Sequence, residues 1–157
     1  EYLSLFYCED TEMLTKIKMV DSLSVFVEQS AYAEFERRAY ELKGDALTGE
    51  NLTTLFGDVA MEFGFGDLGA NKIFFTQITH FYTNPMYVFS YVVSNDAALQ
   101  LYQLEQTEAG AGLAALEANL ATTETTFLAF LQSAQLDSPF TDGRVKSIRE
   151  TFENILK

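Results

Sequence analysis

An all-α protein is what this sequence predicts: a multi-helix array or bundle led by one long N-terminal helix. Apolar residues recur at steps of three and four along most of the chain, which is the signature of amphipathic helices. The one stretch of high β-propensity, "YVFSYVV", has no candidate strand to pair with, and an isolated strand is unstable. The "EAGAGLAALEANLA" region is alanine-rich, which favours helix outright.

The first element is the clearest. Met13, Leu14, Ile17, Val20, Leu23, Val27, Ala31, Phe35 and Leu42 form one stripe. Glu12, Lys16, Asp21, Glu28, Glu34 and Arg38 fall on the other side, and Glu28, Glu34, Glu36 and Glu41 read as a solvated acidic face. The helix should begin near Asp10 or Thr11, which are good N-caps, and end before Gly44. Next, Thr48 is a plausible N-cap, Glu50 suits the helix dipole, and Leu52, Leu55, Phe56, Val59, Ala60 and Phe63 form an apolar face. "GFGDLGANK" then breaks the pattern with three glycines, as a flexible or ligand-approaching loop. A helix is expected from about Pro85 to Leu104, with Pro85 in its first turn. Leu113, Leu116, Leu120, Phe127, Leu128 and Leu131 extend a further helical segment up to "DSPF". The last helix should turn Val145, Ile148, Phe152 and Ile155 inward. The 157 residues suit a single helical domain able to bury roughly two-thirds of its unfolded surface.

Charge and cysteine content exclude several classes of function. The formal net charge is −13, so phosphate backbones and anionic membranes are repelled, and neither nucleic acid nor membrane is an expected partner. No apolar run approaches the ~20 residues that span a bilayer, and no signal-peptide pattern opens the chain. The lone Cys8 allows no intramolecular disulfide and reads as a packed thiol, which points to a cytoplasmic location. "EYLSLFYCED" begins in mid-pattern, like a cut into an existing element.

Familiar catalytic constellations are hard to assemble. The sequence contains one histidine, His80, and a zinc site ordinarily draws three or four ligands from His, Cys and carboxylates. The loop spacing of a calcium site is absent. What remains is "THFYTNPMYVFSY", residues 79–91, which gathers His80, Pro85, Tyr82, Tyr87 and Tyr91. Imidazole and phenol groups can donate hydrogen bonds to a carbonyl oxygen that becomes negative in a transition state. The same groups can instead be satisfied inside a helical core.

The segment "FTQITHFYTNPMYVFSYVVSNDAALQLY" resembles a stretch of the oligoendopeptidase F-like zinc metallopeptidases of the thimet-oligopeptidase clan: Trp-Ala-Arg-Ile-Pro-His-Phe-Tyr followed by Pro-Phe-Tyr-Val-Tyr-x-Tyr. "YAEFERRAYELKGDALTGENLTTLF" is similar to that family's long helix and Leu-Thr turn, and "SPFTDGRVKSIRETFENIL" to its closing helix, so the resemblance covers essentially the whole chain. It implies the C-terminal catalytic-domain portion of a zincin-type enzyme that hydrolyses short peptides. The family holds zinc with an H-E-x-x-H helix and a later glutamate, and the motif's glutamate acts as general base. Neither motif occurs here, and Glu1 is not expected to be the third ligand. The resemblance therefore implies zinc and a zinc-binding portion in the whole enzyme, no metal on this chain, and no peptidase activity from it alone. It assigns His80, Tyr87 and Tyr91 to the catalytic wall that holds the scissile carbonyl and its oxyanion. Tyr82, Gly64 and Gly66 become candidate contacts to an oligopeptide substrate. Thr79 and Phe75 stand where the family has proline and tryptophan, and Phe89 where tyrosine is common. A surface that faces an absent portion would favour self-association, so a homo-oligomer is expected. The alternative reading is a non-catalytic helical protein-interaction module.

Overall fold

A computed structural model of the chain describes residues 10–66 and 71–157. Among these residues the regular structure is entirely helical, as the sequence predicts. Helices α1 (Thr11–Glu41), α2 (Gly49–Glu62), α3 (His80–Thr83), α4 (Val88–Thr107), α5 (Ala111–Ala121), α6 (Phe127–Ser133) and α7 (Arg144–Ile155) follow in order. Short 3-10 turns occupy Gly44–Ala46 and Phe74–Gln77. The chain divides into two compact units, one of Ser24–Val92 and one that takes residues up to Leu23 together with Val93–Lys157. The amino-terminal segment with Glu1 and Cys8, and the centre of the glycine-rich loop at 67–70, lie outside the described residues.

The 24–92 unit is built on an aromatic core. Tyr32 and Phe35 of α1 meet Phe56 and Val59 of α2, with Phe75 and Val88 closing the cluster. Phe35 contacts Phe56 edge-on at 5.2 Å between centroids and Phe75 at 5.3 Å. Such pairs add roughly 0.5–1.5 kcal/mol each beyond burial of their surface. Burial pushes the Tyr32 phenol pKa up, reinforced by its hydrogen bond to the Glu28 carboxylate at 2.5 Å. Helix α2 starts as expected, with Thr48 Oγ1 accepting from Asn51 N–H at 3.2 Å. It ends in a Schellman pattern. Phe65 N–H bonds the Ala60 carbonyl at 2.8 Å, Gly64 N–H bonds that of Met61, and Gly64 takes φ +82°.

In the other unit Leu131, Ala134 and Leu136 pack with Ala97, Leu101, Leu104 and Ala115. Asp96 of α4, 1% exposed, receives Arg144 of α7 through Nη2 at 2.7 Å and Nε at 2.9 Å. Gln100 ties the pair to the chain beyond α6, donating to Asp96 at 3.1 Å and accepting from Asp137 N–H at 2.7 Å. Glu105 accepts from Gly110 N–H at 2.6 Å and Gly112 N–H at 2.8 Å, capping the start of α5.

Several expectations need correction. The alanine-rich segment is two helices rather than one. Thr122 to Thr126 interrupt it, and Thr126 caps α6 by accepting from Ala129 N–H. Helix α4 starts at Val88, beyond Pro85, because Met86 adopts φ +61°. Val145 is 77% exposed, since its neighbour Arg144 takes the inward direction to reach Asp96. The first third of the α1 stripe is also exposed at Met13, Ile17 and Val20.

Candidate functional site

Local chain geometry assembles the aromatic cluster. Asn84–Pro85–Met86–Tyr87 is a tight turn in which Tyr87 N–H bonds the Asn84 carbonyl at 3.0 Å. Proline at the second position and positive φ at the third match a type II turn. Glycine usually fills that third position, because a side chain there costs roughly 1–2 kcal/mol. Met86 is held there by its N–H, which donates to Glu36 Oε1 at 2.6 Å. A hydrogen bond to a charged acceptor contributes roughly 1.5–3 kcal/mol, enough to offset the strain.

This turn folds the chain back so that Tyr87 meets His80 of α3. The rings stack with centroids 5.1 Å apart and planes 10° from parallel. Tyr91 lies one helical turn beyond Tyr87 and closes the trio edge-on, 5.8 Å from His80 and 5.5 Å from Tyr87. Tyr91 Oη and His80 Nε2 share a hydrogen bond at 3.3 Å. Tyr87 is 46% exposed and Tyr91 38%, with His80 half-buried between them. Among the described residues the Tyr87 hydroxyl has no protein partner. The arrangement is thus a partly exposed aromatic wall with an open phenol donor and an imidazole–phenol hydrogen bond.

The other candidates separate from this trio. Tyr82, 61% exposed, lines a cavity formed with α1 and Phe75. Gly64 serves the end of α2, and a Cβ on Gly64 or Gly66 would meet open space. Thr79 has φ −58°, a value proline adopts, so threonine preserves the local backbone that proline would impose. Phe75 is buried against Phe35 and Phe56, the place a larger aromatic would fill. Phe89 is at the half-exposed start of α4 and carries no hydroxyl.

Sequence reasoning missed Glu36. Placed on a solvated face, it is instead 4% exposed. The helical period contains the signal, because Glu36 lies three and four residues after the buried Ala33 and Tyr32. Of its companions, Glu41 is exposed, whereas Glu28 and Glu34 are half-buried. Glu34 and Glu41 pair with Arg37, and Arg38 bridges Glu34 to Glu62. Hydrogen bonds from Arg37 and then Arg38 lower the Glu34 pKa to about 2 against the opposing effect of burial. Among the described residues no group of three or more His, Cys, Asp or Glu is placed to hold a metal ion. The described residues therefore do not fit a zinc site. No helix among the described residues is long and apolar enough to cross a membrane.

The chain matches no protein-family profile, and no curated protein sequence matches it. Among solved structures, one 3.1 Å X-ray structure with the provisional assignment oligoendopeptidase F is similar to it, with a TM-score of 0.81 and 22% identity. The likeness covers 99% of this chain and 28% of that one. At this identity it shows the fold, an all-α arrangement found within a longer chain.

Proposed function

We propose that this chain is a peptidase-like helical portion that forms one wall of an oligopeptide-binding cleft. The observation that carries the reading is the partly exposed aromatic trio of His80, Tyr87 and Tyr91, with its His80–Tyr91 hydrogen bond, on a fold that recurs in the provisional oligoendopeptidase F structure. The open Tyr87 phenol and the His80–Tyr91 pair would donate to the carbonyl oxygen of a bound peptide. They would bind more strongly as negative charge develops on that oxygen. The stack on Tyr87 keeps the imidazole oriented, so little reorganisation opposes the reaction. Zinc and the general base belong, on this reading, to another portion of a longer protein.

The test is an NMR titration of the chain with a short peptide and with its phosphinic analogue, whose anionic oxygens mimic the oxyanion. The analogue should perturb the His80, Tyr87 and Tyr91 ring signals and bind about tenfold more tightly than the peptide. Tyr87→Phe should remove most of that preference. Equal affinity for the two ligands, or perturbations confined to other residues, would sink the reading. A second reading, a non-catalytic interaction module that self-associates, draws on the exposed Met13, Ile17 and Val20 of α1. Sedimentation of the chain as a monomer at high concentration counts against it.

A further inference from the structure

Glu36 carries an unresolved demand. Its Oε1 is used by Met86 N–H, while Oε2 is buried and has no hydrogen-bond partner among the described residues. A buried acceptor left unmet costs roughly 1–3 kcal/mol, and more when charged, so such atoms are rare without a reason. Glu36 also lines a cavity of about 250 Å³ within the 24–92 unit. The other walls include Phe35, Ala39, Leu42, Phe75 and Phe81, and Tyr40 and Tyr82 stand exposed at its rim. That volume is below the range of drug-sized pockets and suits one side-chain-sized group.

We infer that this cavity binds a primary ammonium carried on an apolar stem. The stem replaces water against the phenylalanine and leucine walls. The ammonium supplies the donor that Oε2 lacks, and the aromatic faces add cation–π attraction. A carboxylate ligand would meet Glu36 with like charge, and a neutral alcohol would give only a weak hydrogen bond. A lysine side chain and a peptide N-terminus both present the required chemistry. The inference stands apart from the oxyanion reading, because Glu36 and the cavity carry it rather than His80, Tyr87 and Tyr91, and the group recognised is an ammonium rather than a carbonyl oxygen.

The test is calorimetry at pH 7 on the full chain with hexylammonium, hexanol and hexanoate. Hexylammonium should bind about ten- to a hundredfold more tightly than hexanol, and hexanoate should not bind. Glu36→Gln keeps an oxygen for Met86 N–H but puts an amide NH₂ in place of Oε2, and should abolish the preference. Ala39→Leu, which fills the cavity and leaves Glu36 intact, should abolish binding of both ligands. Nα-acetyl-lysine amide and leucine amide then separate the side-chain source from the chain-terminus source. Equal binding of hexylammonium and hexanol, no saturable binding of either, or a preference that survives Glu36→Gln overturns the inference. So does rejection of both amides by a chain that binds hexylammonium.

Discussion

Replacing Arg144 by methionine tests the charge pair at the heart of the 93–157 segment. Arg144 is 7% exposed, and its guanidinium makes three contacts of 3.2 Å or less with Asp96. Methionine keeps the stem and removes all of them. Asp96, in the middle of α4 and 1% exposed, cannot swing to water and would keep only Gln100 as a donor. Breaking a buried pair on one side costs about 3–5 kcal/mol, and the surviving amide bond places the expected loss near ~3. For a chain of this size that is a fall in Tm of about 6–12 °C. Asp96→Leu should cost less, because Arg144 is the first residue of α7 and its long side chain can turn to solvent. The double variant should cost less than the sum of the two by roughly 1–3 kcal/mol. Urea denaturation followed by circular dichroism measures all four corners of this cycle. An Arg144→Met loss below ~1 kcal/mol, or simple additivity, would refute the reasoning.

The remaining predictions concern acid stability and two glycines. Because Glu34 is held at about 2 in the folded chain against an ordinary 4.5, its pairing stabilises fully above pH 4.5 and fades as pH falls from there through about 2. The difference in urea midpoint between the parent chain and Glu34→Gln should therefore be constant above pH 5 and shrink toward pH 2; a difference that ignores pH contradicts the assignment. Gly112→Ala would put a Cβ 2.4 Å from the Leu101 carbonyl oxygen and should cost about 1–3 kcal/mol. Gly49→Ala, at the open first position of α2, should be neutral or stabilise by up to about 1 kcal/mol, and the two melting curves settle both.

Much of this molecule follows from residue order alone. The 3.6-residue period and the cap at Thr48 are local physics, so the helical class, the extent of α1 and the start of α2 could be read directly. The Tyr87–Tyr91 neighbourhood is equally local, since it needs only one turn of helix. The interruption at Thr122–Thr126 was present in the sequence as four threonines around Glu124, but the alanine propensity before it outweighed it. Tertiary structure decided what depends on a distant partner. Arg144 points inward and Val145 outward because Asp96, 48 residues away, offers a carboxylate that no hydrophobic pattern registers. Met86 takes a left-handed conformation because Glu36, 50 residues away, accepts its N–H, and that turn delays α4 and lays Tyr87 on His80. Periodicity assigns a side chain to a face by its polarity, whereas a buried charge is placed by whichever group can satisfy it.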